Sequence, residues 1–272
     1  MRQKFKIGLL VFLMGCTFGL KAQETPFVDL FKPIGFIGGF PTSESPTADN
    51  FELKFQYSVA LNLWHNIGGR HWNGFFGYTQ VSLWDFFAES SPFRDNMFMP
   101  GIYCSHHFSF HENGKPRDEL LLAVEHRSNG KVGMASRSLN ALVASYSRDI
   151  RESGLTLQGA LRWGTGHLYD GDPVSRRILT HNLGYMALGA TWHTSDDKWA
   201  FHTAFIPLFH HQGANLHLEA TWKVCRRDDF PRLCLQYHYG YDEVMLDCRG
   251  DRGPTSYLRF GFVINPHYTL FP

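Results

Sequence analysis

The chain has 272 residues and a formal net charge of +1, too near neutral for the basic footprint of a nucleic-acid binder. A mean hydropathy of −0.25 excludes a bundle of membrane-spanning helices. Aromatic residues make up 15% of the chain, and a transmembrane β-barrel stays compatible, because only alternate residues of its strands need be apolar.

The N-terminus reads as an export signal. Arg2, Lys4 and Lys6 form a positive segment, and the apolar run from Ile7 to Leu20 is short for a membrane span. Leu20-Lys21-Ala22 offers a small residue for cleavage, so residues 1–22 read as a signal peptide and the mature chain starts at Gln23. Cys16 stands in an imperfect lipobox, but the apolar run continues past it through Phe18 and Leu20. Residues 23–50 are the least regular part, an N-terminal arm with room for a first strand, and 51–272 form the barrel.

From there apolar and polar residues alternate. Phe55, Tyr57, Val59, Leu61 and Leu63 share one face, as do Leu155, Leu157, Leu161 and Trp163, and again Leu216, Leu218 and Trp222. Period two means strands with one apolar and one polar face. A soluble sandwich gives the same pattern, and three features tilt the choice toward the membrane. The strands run about ten residues, as a tilted membrane strand requires. Trp64, Trp72, Trp84, Trp163, Trp192, Trp199 and Trp222 fall near strand ends, as interfacial girdles do. Ionic residues such as Glu125 and Arg127 fall on the polar face, which suits a lumen. Turn signals such as Gly68-Gly69, Glu112-Asn113-Gly114 and Asp170-Gly171-Asp172-Pro173 divide the chain into about twelve strands, from near Ile34 to near Ile264. The expected fold is all-β, an antiparallel transmembrane barrel of about 12 strands. Four mature cysteines remain: Cys104, Cys225, Cys234 and Cys248. Cys225 and Cys234 flank a polar hairpin loop and are expected to form a disulfide.

The segment Glu119 to Tyr146 carries the chemistry. Leu120, Leu122, Val124, His126 and Ser128 share one strand face, and Glu125 and Arg127 mark the other as the lumen side. His126 and Ser128 therefore continue the lipid-facing row, a costly place for polar groups without work to do. A simple hairpin centred near Gly133 sets Asn140 opposite His126 and Ser138 opposite Ser128. In that arrangement His126 takes the Ser128 proton as general base, and Asn140 holds the ring in the useful tautomer. Asn does so without placing a net charge against lipid. A His-x-Ser pair alone is a weak signal, more often a locally hydrogen-bonded interfacial pair.

The full strings narrow the choice. His126-Arg127-Ser128-Asn129-Gly130 and Ser136-Arg137-Ser138-Leu139-Asn140 closely resemble the signature of the outer membrane phospholipase A family. Tyr78-Thr79-Gln80, Ser82, Trp84 and Ser90-Ser91-Pro92-Phe93-Arg94-Asp95 resemble its second block. Weaker likenesses at Lys54-Phe55-Gln56 and Gly240-Tyr241-Asp242-Glu243 extend the match over most of the mature chain. The resemblance implies a twelve-stranded barrel in the outer membrane with its triad on the outer surface: Ser128 as nucleophile, His126 as base, Asn140 as orienting residue. The Gly130 N–H would help form the oxyanion hole, aided by calcium through bound water. It further implies calcium (Ca2+) bound across a homodimer interface by the Lys131 carbonyl and Ser136 hydroxyl of one subunit and Ser90 of the other, an all-oxygen set suited to a hard cation. Gln80 matches a polar residue near the interface and active site.

Departures from the family pattern are Lys131 in place of Arg, and Arg127 where an acidic or polar residue is expected, adding positive charge beside the site. The loop Val132-Gly133-Met134-Ala135 is more apolar than usual, the cysteines are additional, and the chain ends Phe271-Pro272. His106-His107 and His210-His211 are poor metal motifs, since adjacent strand residues face opposite ways. The expected activity is calcium-dependent hydrolysis of phospholipid acyl esters. The rivals are a channel or structural barrel, and an enzyme acting on lipopolysaccharide acyl chains.

Overall fold

The computed structural model describes residues 26–132, 135–150, 154–164, 178–210, 213–225, 227, 230–241, 243 and 253–264. The expected signal segment with Cys16, the turn at Asp170-Gly171-Asp172, His211, Cys248 and the chain end at Phe271-Pro272 lie outside the described residues.

The first strands are β1 (Val28–Leu30), β2 (Ile34–Pro41), β3 (Glu52–Trp64), β4 (Trp72–Trp84), β5 (Phe93–Phe110), β6 (Pro116–Ser128) and β7 (Ser138–Ile150). They are followed by β8 (Leu155–Gly164), β9 (Met186–His193), β10 (Trp199–Leu208), β11 (Gly213–Trp222), β12 (Arg232–Gly240) and β13 (Thr255–Ile264). Each strand from β2 to β13 pairs antiparallel with the next, and β13 pairs back onto β2, closing a twelve-stranded barrel. Among the described residues no helix is long and apolar enough to cross a membrane.

Alternation sorts the two faces as the sequence predicts. Leu157, Leu161, Trp163, Leu218 and Trp222 are exposed on the outside, while Arg162, His217 and Thr221 are buried inside. Rings gather at both rims, as interfacial girdles do. At one rim Trp192 and Trp199 stack on Phe201 with centroids 5.5 and 6.1 Å away, and Trp199 stacks on Trp222 at 6.0 Å. At the other, Trp84 meets Phe86 at 4.7 Å and Phe93 at 5.2 Å.

β1 and β2 are one strand interrupted by a bulge. Leu30 pairs with Val59 and Gly35 with Gln56, so the first side takes five steps where β3 takes three. The extra residues fall at Phe31-Lys32-Pro33, where proline has no N–H to give a ladder. The bulge turns both Phe31 and Lys32 inward. Phe31 packs edge-on against Phe75 and Tyr103, with centroids 4.9 and 4.6 Å away, and Lys32 accepts burial with its N–H donated to Ser58 Oγ at 3.1 Å.

Beside the apolar cluster of the interior lie buried ion pairs. Arg259, fully buried, donates to Glu52 Oε1 at 2.5 Å and to Glu243 at 2.7 and 3.0 Å. Lys54 reaches Glu243 at 2.6 Å, and Arg94 pairs with Glu52. Farther along, Tyr103 donates to Glu125 at 2.9 Å, and Lys32, Arg127 and Arg162 surround that carboxylate. Removing one member of a buried ion network strands the others, which costs about 3–5 kcal/mol. Arg259→Met should therefore lower barrel stability by that order, read from urea titration of tryptophan fluorescence in liposomes. An unchanged unfolding midpoint would show that water replaces the guanidinium freely.

The expected Cys225–Cys234 disulfide is not formed: both cysteines are free, as is Cys104. The register explains why. Cys234 lies opposite Thr221 and points into the lumen, whereas Cys225 is beyond the end of β11, so the two are not cross-strand partners.

Candidate active site on the barrel exterior

β6 and β7 pair in the register the hairpin reading expects, with His126 opposite Asn140 and Ser128 opposite Ser138. Period two places all four on the outer face, in line with exposed Leu122, Val124 and Leu142. His126 Nδ1 lies 2.8 Å from Asn140 Oδ1. A carboxamide oxygen can only accept, so this bond puts the imidazole proton on Nδ1 and leaves the Nε2 lone pair available. Ser128 is two residues along the same face, about 7 Å away by Cα on strand geometry. The structure records no hydrogen bond between Ser128 and His126, a contact that in catalytic pairs often tightens only with substrate. Below this row the outer wall is hollowed into an apolar groove of about 850 Å³, lined by Ile102, Leu122, Val124, Leu142, Leu161 and Trp163.

Beyond Ser128 the strand ends. Gly130 has φ +66, and a Cβ there would lie 2.6 Å from the ring of Phe98, whose own residue pairs with Ser128. The position thus requires glycine twice, for the left-handed backbone and for the ring beneath it. If the Gly130 N–H is the oxyanion donor that the resemblance implies, Gly130→Ala should displace this backbone and lower kcat roughly 100-fold, the order seen when such a donor is lost. The check is turnover alongside heat-modifiable gel migration, and native turnover would remove the Gly130 N–H from the reaction. Asn129, absent from the expected site residues, is buried between the loop stems and bonded to Lys131 on one and to Ala135 and Arg137 on the other. The Asn-Gly dipeptide at a strand end was the available signal.

The ammonium of Lys131 lies 3.2 Å from the Arg94 carbonyl and 3.6 Å from the buried carboxylate of Asp95, which compensates its charge. Arg127 points into the lumen, as its strand face implies, and so does not add the positive charge expected beside the site. It is buried there, with Nη1 3.5 Å from Met97 Sδ and Nε 3.9 Å from Glu125. The wall separates its guanidinium from His126, because residues 126 and 127 face opposite ways. Ser136 is exposed, and its carbonyl accepts from Arg137 Nη1 at 2.8 Å.

Gln80 lies in the same cross-strand row, which runs Tyr57, Gln80, Phe98, Ser128, Ser138. Its Oε1 accepts from Tyr57 at 2.5 Å and Tyr78 at 3.1 Å, and its Nε2 donates to Ser82 Oγ at 3.1 Å. Ser90 belongs to the neighbouring β4–β5 loop, where Ser90 and Ser91 have φ of +63 and +41. Trp84 Nε1 donates to the Ser91 carbonyl at 2.8 Å, and Ser91 Oγ donates to the Phe86 carbonyl at 2.9 Å. These bonds hold a backbone that L-residues adopt at a cost and leave Ser90 exposed at the rim. At the start of this loop, burial raises the Asp85 carboxyl above its ordinary value. The adjacent histidines are engaged separately: His106 stacks on Trp72 at 4.3 Å, and His107 lies 3.3 Å from Glu119.

Residues 39–254 match the family model described as Phospholipase A1. The chain belongs to the phospholipase A1 family. Among its relatives, Phospholipase A1 of Escherichia coli K12 is 29% identical over 215 residues, covering 78% of this chain and 69% of the relative. That of Klebsiella pneumoniae is 31% identical over 203 residues, covering 72% and 65%. The barrel superposes on the Salmonella typhi outer membrane phospholipase, solved as a dimer with bound calcium, with a TM-score of 0.74 at 21% identity, covering 90% of this chain and 96% of that one. Outer membrane phospholipase A from Escherichia coli gives 0.73 at 20% identity, covering 89% and 99%. This family member is thus an enzyme built on the outer-membrane phospholipase barrel.

Proposed function

We propose that the protein hydrolyses phospholipid acyl esters in the outer membrane through Ser128, His126 and Asn140, with calcium. Family membership and the barrel carry the coarse activity, phospholipid hydrolysis in the outer membrane. The observation that supports the finer reading most is the bond from His126 Nδ1 to Asn140 Oδ1 on the lipid-facing wall. It orients a neutral base next to a serine where the substrate lies, without burying a charge.

In this reading His126 Nε2 takes the Ser128 proton as Oγ attacks the ester carbonyl carbon. The Gly130 N–H stabilises the resulting oxyanion. The intermediate collapses, the leaving alkoxide takes the proton from His126, and lysophospholipid departs. Water, deprotonated by His126, then attacks the acyl-Ser128 carbonyl; the departing Ser128 Oγ takes the proton back from His126 and fatty acid is released. The apolar groove beside the row would hold an acyl chain.

The residues present fit calcium by donor chemistry: neutral oxygens on a loop whose Lys131 ammonium is compensated by Asp95 and whose Arg137 guanidinium is held on the Ser136 carbonyl. The Lys131 carbonyl and Ser136 hydroxyl would hold it, with Ser90 from a second copy in a homodimer. When bound, calcium would supply positive charge that favours the oxyanion. Gln80, held by two phenols on the outer wall, would line the contact between copies.

A channel needs an open lumen, and this one is packed with Phe31, Tyr103 and the Arg259 network. The test is product analysis of the refolded protein on mixed micelles. Fatty acid and lysophospholipid should appear together from phospholipid. Acyl release confined to lipopolysaccharide would replace the substrate assignment.

A further inference from the structure

We infer that Asn129 is a positioning residue for the reaction: its carboxamide ties together the two stems of the β6–β7 loop, setting the Gly130 N–H, Lys131 carbonyl and Ser136 hydroxyl relative to Ser128. The inference rests on the reading of Ser128 as nucleophile given above. Asn129 follows Ser128 directly, so its side chain turns to the opposite side of the wall, where it is 2% exposed. There Oδ1 accepts from the Arg137 N–H at 2.9 Å and the Lys131 N–H at 3.3 Å. Nδ2 donates to the Ala135 carbonyl at 2.9 Å, and the Asn129 N–H donates to the Arg137 carbonyl at 3.0 Å.

A short carboxamide makes all three side-chain bonds, accepting twice and donating once from one planar group. Aspartate could accept both N–H bonds but could not donate to Ala135. Alanine would leave two N–H groups and a carbonyl without that partner. Gln would keep the amide but carry it one methylene too far. The bonded residues bracket the proposed site: Lys131 and Arg137 are the immediate neighbours of Gly130 and Ser136. Gly130 itself, at φ +66, supplies no side chain to fix its own backbone. The orientation of its N–H therefore depends on what holds residues 129 and 131.

The experiment compares Asn129→Ala and Asn129→Asp in the refolded full-length protein, with Ser128→Ala in parallel. Folded fraction comes from heat-modifiable migration, kcat and KM from micellar phospholipid, and calcium affinity from titration calorimetry. Asn129→Ala should lose about 100-fold in kcat per folded molecule with little change in KM, as an ångström-scale misplacement does. Its calcium affinity should fall about tenfold, the order that supporting contacts contribute to metal sites. Asn129→Asp, keeping both accepted bonds, should recover to within about tenfold of the native kcat. If Asn129→Ala does not fold, Asn129→Gln takes its place, with the same expected loss. Native kcat per folded molecule in Asn129→Ala (or in Asn129→Gln), or an Asp variant no better than Ala, would overturn the role. Ser128→Ala separates the two failures. Hydrolysis persisting in it overturns the nucleophile, whereas an inert Ser128→Ala beside a fully active Asn129→Ala overturns only Asn129.

Discussion

Ser128→Ala should abolish hydrolysis while leaving a folded, heat-modifiable barrel. The side chain is on the outer wall, half-buried and outside the packed lumen, so its removal opens no cavity in the core. Loss of a nucleophile in a serine–histidine machine lowers kcat by about 10⁴-fold or more. His126→Ala should be similarly inactive. Asn140→Ala should retain more activity than either, because it removes only the acceptor that holds the ring and a mis-set imidazole is still a base. The effects should not add, since the three groups act on one proton. Fatty acid released by Ser128→Ala at the native rate would return the serine to an ordinary interfacial residue.

Calcium removal is the second large effect. Excess chelator should lower turnover by at least about 100-fold if the cation supports the oxyanion, since that is the order contributed by one preorganised donor. Ser136→Ala should raise the calcium concentration needed for half-maximal activity without changing barrel stability, because it deletes one exposed hydroxyl. Crosslinking in the presence of calcium and substrate should capture a dimer, and Ser90→Ala should weaken it at the same calcium concentration. Full activity in chelator would end the metal assignment and leave the serine reading to stand on the His126–Asn140 pair alone.

What could be read in advance follows from range. Period two is a local property, so the strands, their outer faces and the pairing of His126 with Asn140 across one short loop were legible. The two-residue offset at Phe31-Lys32-Pro33 was not, because it shows only when β3 fixes the register on both sides. The lumenal network joins Glu52 to Arg259 across 207 positions, and alternation says only that both face inward. The left-handed Ser90 and Ser91 break the expectation that glycine occupies such positions. The disulfide failed for a related reason: two cysteines beside one loop are near in sequence, but the register of β11 and β12 decides which residues meet. Asn129 was passed over because its neighbour Ser128 carried the reactive chemistry, while its own work is hydrogen bonding within the loop.

Whether Ser128 is the nucleophile is decided by where a serine-directed sulfonyl fluoride bearing a long alkyl chain becomes attached. The alkyl chain would lie in the apolar groove of the outer wall and bring the sulfonyl group to the row that holds His126 and Ser128. Peptide mass mapping of the inactivated protein should show one label per chain, on the peptide containing Ser128. Labelling should be slowed strongly in His126→Ala. A label on another residue, or complete inactivation with Ser128 unmodified, would show that Ser128 is not the nucleophile.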